Sequence, residues 1–350
     1  MWSTLTSFLT PWLSPPSFLA TSVTVVTLAI TLGIFLYSDM PSSFQPKGKH
    51  CIVTGGNQGL GRSVGLELAK LGAHVTIIAR NEDLLRSTTA ELEEMRQEEN
   101  QRFEWVSADL TDKEKAIQAI QTSEERHGSV PDYVFLCAGA SFPGMFVEQD
   151  ADELASNMSI VYHTALYTSH AAIRRMVEGG KAKGSKVIFV ASVLSFMGIV
   201  GYSGYCASKY ALRGLADVLR NELLMYGIDV HIYFPGTMLT KGYERENLTK
   251  PDITLRIEGA DEGITADVAA KALIKGVKRG HYQITSDPIG MLLRSSAGGV
   301  VPSHWPILDF TLGVIGTLIL SPWRLVIDYM SRKEGQRQEQ AAEITRKLSQ

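Results

Sequence analysis

A serine, a tyrosine and a lysine near the middle of the chain have the types and the spacing of a proton-transfer site. Tyr205 and Lys209 are four residues apart in a segment that predicts a helix, so both side chains point from one helix face. Ser192 ends an apolar, β-branched segment, KVIFVAS, that predicts a buried strand. A positive charge near a phenol stabilises the tyrosinate that remains after the proton has left. The three residues therefore predict proton transfer to a carbonyl oxygen.

A glycine-rich segment upstream has the pattern of a phosphate-binding turn. The chain from Cys51 to Ala79 predicts, in order, a strand, a tight turn, a helix and a second strand. Gly55, Gly59 and Gly61 fall where the backbone must turn tightly and approach a pyrophosphate at the helix N-terminus. Their spacing is Thr-Gly-x-x-x-Gly-x-Gly, which differs from the Gly-x-Gly-x-x-Gly of other dinucleotide-binding folds. The segment therefore predicts a dinucleotide site.

Together these motifs resemble the short-chain dehydrogenase/reductase family. The glycine pattern is followed by Ser192, by Tyr205 thirteen residues later and by Lys209 four residues after that. The resemblance covers residues 49–286 and implies an α/β fold with a single Rossmann-type doubly wound parallel sheet. Alternating strand and helix patterns agree with that fold. The segment 237–263 has no clear periodicity and is predicted to be a long loop that acts as a lid.

The resemblance also assigns a set of residues to the cofactor. They lie in the glycine-rich turn, after the second, third, fourth and sixth predicted strands, and on the helix that carries the tyrosine. Asp109 would meet the adenine amino group, and Ala138 with Gly139 would lie beside the ribose. The Pro-Gly loop after the sixth strand would hold the nicotinamide. The full set is Gly55, Asn57, Gln58, Gly59, Leu60, Gly61, Arg80, Asp109, Leu110, Ala138, Gly139, Tyr205, Lys209, Pro235, Gly236 and Thr240.

The end of the second predicted strand favours NADP(H) over NAD(H). Enzymes that use NAD usually place a carboxylate there to bind the ribose hydroxyls, whereas this chain has Ala79 followed by Arg80. A guanidinium can receive the 2′-phosphate, and no carboxylate repels it. Gln58 departs from many NADP-dependent relatives, which carry arginine at its position. The alternative is that Arg80 is a surface residue paired with Glu82 or Asp83.

The resemblance implies a mechanism of ketone reduction. Tyr205 would act as general acid, Lys209 would lower the pKa of the tyrosine and bond the nicotinamide ribose, and Ser192 would donate to the carbonyl oxygen. The family usually adds an asparagine from the long helix before the fifth strand. This chain has Val161 at that position, and Asn157 lies one turn away. The sequence therefore does not assign the residue that takes the place of this asparagine.

Composition limits the other classes of function. The chain has 350 residues, a net charge of −3 and a pI near 6.3, which gives no reason to expect nucleic-acid binding. Its three cysteines, Cys51, Cys137 and Cys206, have neither disulfide-framework nor zinc-ligand spacing. A reducing compartment and the absence of a metal site are therefore expected.

Residues 1–46 are predicted to form a retained membrane anchor. The apolar segment 18–37 is twenty residues long, which as a helix crosses an apolar bilayer core of about 30 Å. A cleaved signal peptide is the alternative, but no basic residue precedes the segment and no small-residue cleavage site follows it. The first basic residues, Lys47 and Lys49, follow the span, which places the catalytic domain in the cytosol.

The remaining chain is predicted to divide into a catalytic domain at 47–288, an apolar region at 289–330 and a polar tail at 331–350. Within the apolar region, residues 306–320 are too few for a clean span and include Asp309. A re-entrant or interface-lying segment is expected, followed by a second amphipathic piece. The alternative is a helix packed on the catalytic domain or at a dimer contact. Three aromatic residues have the spacing of interfacial anchors, namely Trp305, Trp323 and Tyr329.

Within the family, the anchor, the TGGNQGLG turn and the apolar C-terminal region resemble the reductases that act on long-chain 3-keto sphingoid bases at the cytosolic face of the endoplasmic reticulum. Membrane-anchored steroid or retinoid reductases are the alternative, and a non-catalytic NADP-binding scaffold is an alternative of another class. The resemblance implies contact with membrane lipid and pairing into homodimers or homotetramers. Glu244, Glu246 and Asp252 are candidates to meet the cationic head of such a substrate.

Overall fold

The computed structural model describes residues 24–25, 44–259 and 262–348. The predicted membrane span at 18–37 lies outside the described residues, apart from 24–25. The last residues before the first strand belong to the domain. Phe44 is only 3% exposed, and its ring centroid lies 5.1 Å from that of Tyr133.

A parallel sheet forms the centre of the domain. The described strands are β1 (His50–Thr54), β2 (His74–Ala79), β3 (Phe103–Ser107), β4 (Tyr133–Leu136), β5 (Lys186–Val190), β6 (Asp229–Phe234), β7 (Met238–Leu239), β8 (Ile264–Thr265) and β9 (Gln283–Thr285). Seven of them pair in the order β3-β2-β1-β4-β5-β6-β9, all parallel, while β7 and β8 form a separate parallel pair. The strands are rich in valine, isoleucine and phenylalanine because both faces of the sheet are covered.

Helices cover the sheet on both faces. The described α-helices are α1 (Gly59–Lys70), α2 (Glu82–Glu94), α3 (Lys113–His127), α4 (Ala151–Asn157), α5 (Thr164–Glu178), α6 (Ser203–Glu222), α7 (Lys241–Asn247), α8 (Asp252–Glu258), α9 (Ala266–Lys278), α10 (Pro288–Ala297) and α11 (Pro306–Leu348). Alternation along β1 sends Ile52 into the core shared with α3, α5 and α6. It sends Cys51 and Val53 into the core shared with α1, α2 and α9. This is the doubly wound architecture expected from the sequence.

The topology brings the carboxyl ends of the strands to one edge. Because all seven strands of the main sheet are parallel, the segments that follow them lie at the same edge. The strand order reverses between β1 and β4, and a crevice forms at such a switch point. The glycine-rich turn follows β1, Arg80 follows β2, and Ser192 comes two residues after β5.

The segment 237–263 is not the irregular loop that the sequence predicted. Its described residues contain the β7 strand and the α7 and α8 helices, and β8 follows directly after it. The side chain of Thr240 caps α7 by accepting a hydrogen bond from the Tyr243 N–H at 3.2 Å. None of the seven residues of α7, all within the described range, is buried. A short helix without a buried face has no hydrophobic period, so the sequence pattern could not reveal it.

The long helix predicted before β5 is interrupted by a π-helical turn. The turn comprises Met158–His163 and separates α4 from α5. Val161 lies in this turn and is 1% exposed. The interruption occurs where the family usually carries its asparagine, and single π-helical turns frequently mark functional sites.

The C-terminal region also differs from its prediction. The two separate apolar pieces expected around residues 306–330 form one continuous helix, α11, which passes through Pro322. Contacts with the domain hold the segment after the proline. Ile327 is 2% exposed, and the Arg324 guanidinium donates to the Gly198 carbonyl at 3.0 Å. Tertiary packing thus outweighs the helix-breaking tendency of proline.

Helix α11 runs along the catalytic domain. The guanidinium of Arg294, on α10, donates to both carboxylate oxygens of Asp309 near the start of α11. Further along, Glu334 pairs with Arg256 of α8. These contacts span 25 residues, or roughly 38 Å of helix. Among the described residues, α11 is the one helix long and apolar enough to cross a membrane.

Candidate active site

One cavity gathers all the residues that the sequence predicted for catalysis and cofactor binding. It has a volume of about 1440 Å³ and opens at the carboxyl edge of the sheet. Every residue of the predicted cofactor set lines it, and so does Ser192. The parallel topology accounts for this convergence, because each segment follows a strand or belongs to a helix that begins at that edge.

The glycine-rich turn is shaped to admit a phosphate group. Gly55 has a φ of +64°, and a Cβ added there would lie 2.9 Å from the Cα of Ala138. A Cβ added at Gly61 would lie 2.3 Å from the carbonyl oxygen of Gly55. At the start of α1, the cap residue Gln58 makes no side-chain capping hydrogen bond within the described structure, and the first turn has no acidic residue. The N-terminal N–H groups of α1 therefore suit an anion in the cavity.

The end of β2 presents a cation to the same cavity. Arg80 is exposed and, among the described residues, takes part in no ion pair within 4 Å. Glu82, its alternative partner, pairs instead with Arg86 at 3.7 Å. Asp109 accepts hydrogen bonds from the Thr111 N–H at 3.1 Å and the Thr111 hydroxyl at 2.8 Å. Burial opposes the charge of Asp109, but these bonds and the nearby Arg80 outweigh it and lower the pKa of the carboxyl.

Helix α6 positions the tyrosine and the lysine on one buried face. Lys209 is 5% exposed, and its Nζ donates to the Val190 carbonyl at 2.9 Å. The same Nζ lies 5.5 Å from the centroid of the Tyr205 ring. Burial lowers the pKa of Lys209 to about 7, against a smaller raising effect of Cys137. The lysine is therefore held where it can exchange its proton near neutral pH.

Tyr205 is held in its protonated form. Burial raises the pKa of its phenol, the charge of Glu246 raises it further, and a hydrogen bond with Ser192 opposes the shift. The net direction is opposite to the lowering expected from Lys209. The Ser192 hydroxyl also accepts from the Leu194 N–H at 3.2 Å, which fixes the serine at the end of β5. A protonated phenol is the form that a general acid requires.

The place of the family asparagine is apolar. A Cβ added at Gly139 would lie 3.9 Å from Val161 and 4.0 Å from the Lys209 Nζ, so the valine and the lysine border the same glycine. Asn157 is fully buried and donates from Nδ2 to the Glu153 carbonyl at 3.2 Å. Its Oδ1 has no partner among the described residues. Asn157 is not among the residues that line the cavity, whereas Thr164, just after the π-helical turn, is.

The sequence did not reveal the apolar end of the cavity. Beyond the catalytic residues, the cavity continues between the lid, α10 and α11. Its apolar and aromatic lining here includes Phe142, Met197, Ile199, Tyr202, Ile257, Leu292, Leu293, Ile319, Leu320 and Trp323. The sequence signals near this surface were the predicted lid, the apolar region 289–330 and Trp323, which was predicted as an interfacial anchor. The space suits a long apolar group next to the catalytic tyrosine.

Of the three carboxylates predicted to meet a cationic head, only one faces the cavity. Glu246 lines it, whereas Glu244 and Asp252 are exposed and are not part of its lining. Two residues of the lid that the sequence did not single out, Lys250 and Glu258, also line the cavity. Both lie beside Glu246, since the Lys250 Nζ is 3.3 Å from Glu246 and 2.7 Å from Glu258.

Comparisons with known proteins agree with this geometry. The short chain dehydrogenase family model matches residues 49–250. A 3-ketodihydrosphingosine reductase of Cryptococcus neoformans is 39% identical over 308 residues, covering 86% of this chain and 91% of the relative. One from Aspergillus fumigatus is 33% identical, covering 87% and 91%, and one from Dictyostelium discoideum is 34% identical, covering 79% and 86%. The chain therefore belongs to the short-chain dehydrogenase family, and it is an oxidoreductase that uses a nicotinamide cofactor.

Proposed function

We propose that this protein reduces 3-ketodihydrosphingosine to dihydrosphingosine with NADPH, a step of sphingoid-base biosynthesis. The relatives named for this reaction cover most of the chain in sequence. The observation that carries the proposal is the continuity of the cavity. The part lined by the predicted cofactor residues, the surroundings of Tyr205 and a long apolar part form one space of about 1440 Å³.

The residues around the tyrosine divide the chemistry between them. When bound, the cofactor supplies a hydride to the carbonyl carbon. The Ser192 hydroxyl donates a hydrogen bond to the carbonyl oxygen, and Tyr205 Oη gives its proton to the same oxygen. The Lys209 ammonium, about one helical turn away, stabilises the tyrosinate that remains. Val161, buried where the family usually has an asparagine, has no side-chain amide to contribute.

Arg80 supports the choice of NADPH over NADH. Its guanidinium stands at the cavity edge after β2, where the 2′-phosphate of the cofactor would lie. Because it has no ion-pair partner among the described residues, its donors are available for a phosphate. The N-terminus of α1 and the glycine turn would bind the pyrophosphate, and Asp109 would bind the adenine side.

The apolar part of the cavity supports a long-chain substrate. A ketone at Tyr205 would place its alkyl chain between the lid and α11, against Leu320 and Trp323. Helix α11 separates this space from the surface on which a membrane would lie. The alkyl chain of a lipid would therefore have to pass beside α11 to reach the cavity from the bilayer.

We infer that α11 lies on the membrane surface rather than crossing it. Its contacts with the domain continue from Asp309 to Glu334, so a crossing would draw the polar domain into the bilayer. Phe310, Leu318 and Leu325 lie on one helix face by their spacing and are 74%, 71% and 70% exposed. With the predicted N-terminal anchor, this face would hold the enzyme at the cytosolic side of the endoplasmic reticulum membrane.

A truncation tests the two membrane contacts separately. Deleting residues 1–43 retains Phe44, which packs on Tyr133. We expect the truncated protein to bind NADPH and to float with phospholipid vesicles. The same truncation with Phe310, Leu318 and Leu325 changed to serine should lose flotation but keep NADPH binding. A truncated protein that stays entirely in solution would contradict the role of α11.

We also propose that two copies pair through α5 and α6. The outer surface of α6 and the turn that follows it exposes apolar side chains, including Val218 at 56% and Met225 at 78%. Sedimentation in detergent would distinguish a dimer or tetramer from a monomer.

Substrate comparison tests the proposed reaction. We expect turnover of 3-ketodihydrosphingosine with NADPH to exceed that with NADH, and to exceed reduction of a ketosteroid or retinal by the same protein. A preference for the steroid or for retinal would replace the proposed substrate and keep the reductase mechanism. NADPH binding without turnover of any of these carbonyl compounds would indicate a non-catalytic scaffold instead.

A further inference from the structure

A largely enclosed charge cluster joins the lid to Tyr202, beside the tyrosine proposed as the general acid. The cluster consists of Tyr202, Glu246, Lys250 and Glu258, all of which line the cavity. Lys250 has a fully buried side chain, and Tyr202 is 3% exposed. The ring centroids of Tyr202 and Tyr205 are 6.0 Å apart. A charged group of the substrate close to its ketone would therefore meet this cluster.

The cluster carries one more negative charge than positive. Burial opposes the charge of Lys250, but the bond to Glu258 and the charges of both carboxylates outweigh it and raise the pKa of the ammonium. The pKa of the Tyr202 phenol is raised too, first by burial and then by Glu246, so this group stays neutral. Two carboxylates thus face one ammonium. A surplus of negative charge on the partly buried cavity wall favours a second cation.

The two carboxylates are not equivalent. Glu258 uses both oxygens, since Oε1 accepts from the Tyr202 hydroxyl at 2.9 Å and Oε2 accepts from the Lys250 Nζ at 2.7 Å. Glu246 uses only Oε1, which the Tyr202 hydroxyl and the Lys250 Nζ both approach. Its Oε2 has no hydrogen-bond partner among the described residues. Glu246 therefore has an acceptor oxygen that no described residue uses, and it is also the carboxylate whose charge raises the pKa of Tyr205.

We propose that Glu246 determines specificity by binding, through Oε2, an ammonium group on the carbon next to the substrate ketone. The inference rests on the proposed function, whose substrate carries an amino group at that carbon. Placing the ketone at Tyr205 brings the neighbouring ammonium towards Tyr202 and Glu246. Lys250 and Glu258 act as positioning residues, because they hold Glu246 at the cavity wall. The site selects amino ketones over plain ketones of the same length.

Two substrates and three variants test the proposal. The substrates are 3-ketodihydrosphingosine and the same long-chain ketone without its amino group, both in the same detergent micelles. Glu246→Gln should lower kcat/KM for the amino ketone about 10- to 100-fold more than for the plain ketone, as for the loss of a charge-assisted bond. Glu244→Gln removes the same charge from an exposed position of α7 and should leave the ratio of the two substrates unchanged.

Glu258→Gln separates recognition from support of the lid. Because both oxygens of Glu258 serve the cluster, its loss should lower kcat/KM for both substrates alike. If Glu246→Gln leaves the ratio of kcat/KM for the two substrates unchanged, the inference is overturned while the proposed reaction stands. No turnover of the amino ketone by the wild-type protein would overturn the proposed function itself. NADPH affinity, measured by fluorescence quenching, should be unchanged in Glu246→Gln, and a loss of it would show that the substitution acts on the fold instead.

Discussion

The two ends of the cavity are built in different ways. At the cofactor end, each residue directly follows a strand or opens a helix, and local spacing sets its position. At the substrate end, the wall combines the lid helices, α10 and α11, which are far apart in sequence. The cofactor end is thus specified by motifs and the substrate end by packing. The first can be shared by many reductases, while the second is free to differ with the substrate.

The same contrast separates the ways in which charge is used. At the cofactor end, Arg80 is exposed and unpaired among the described residues, ready for a charged ligand. At the substrate end, Lys250 is enclosed and pairs with two carboxylates of its own lid. An exposed charge costs little to keep, whereas an enclosed one persists only with partners. Substitutions at the two ends should therefore differ in what they affect.

The largest effect is expected between the two ends, at the catalytic tyrosine. Tyr205→Phe removes the acid and should lower turnover by roughly 10²- to 10⁴-fold. NADPH affinity should change little, because the phenol is not the main contact of the phosphates or adenine. Steady-state rates and fluorescence titration of NADPH measure the two quantities. Near-wild-type turnover would contradict the assignment of Tyr205 as general acid.

Shortening the alkyl chain of the substrate probes the substrate end of the cavity alone. Each buried methylene contributes about 0.8 kcal/mol, so removing four should lower kcat/KM on the order of 100-fold. A series of 3-keto bases of decreasing chain length would measure the slope, with the NADPH KM as the control for the cofactor end. A flat series would show that the apolar surface near Trp323 does not bind the alkyl chain.

Arg80→Ala probes the cofactor end of the cavity alone. Loss of a charge-assisted contact should weaken NADPH binding by about 10- to 100-fold and leave NADH binding nearly unchanged. Arg86→Ala, on the neighbouring helix and paired with Glu82, serves as the matched control. An equal loss for both cofactors would show that Arg80 does not contact the 2′-phosphate.

An effect that is small per pH unit concerns the stability contributed by the buried lysine that lies between the two ends. The pKa of Lys209 is lowered to about 7 in the folded chain, whereas an unfolded chain has a lysine pKa near 10.4. Above pH 7 the unfolded chain binds more protons at this residue, so stability should rise between about pH 7 and 10. The slope is at most about 1.4 kcal/mol per pH unit.

Lys209→Met supplies the reference for this titration. The variant lacks the ionisable group, so the difference in unfolding free energy between wild type and variant isolates the lysine. Urea unfolding without cofactor at several pH values measures it. A difference that stays constant from pH 7 to pH 9 would contradict the lowered pKa.

The cofactor end could be predicted from the sequence because residues close together in the chain determine its geometry. Glycine spacing indicates a tight turn, and four-residue spacing indicates a shared helix face. Gly55, Gly61, Tyr205 and Lys209, which the sequence predicted for one site, all line one cavity. The lid was mispredicted because α7 buries none of its described residues. A hydrophobic period arises only when a helix face is buried against something.

The sequence by itself determined the doubly wound sheet, the glycine turn, and the placement of Ser192, Tyr205 and Lys209 at one edge of that sheet. Tertiary structure alone decided which lid carboxylate faces the cavity, how Lys250 is enclosed, and that α11 continues through Pro322. Each of these depends on contacts between segments far apart in the chain, such as Arg324 with the Gly198 carbonyl. Local patterns encode turns and helix faces, while the meeting of distant side chains depends on how the whole chain packs.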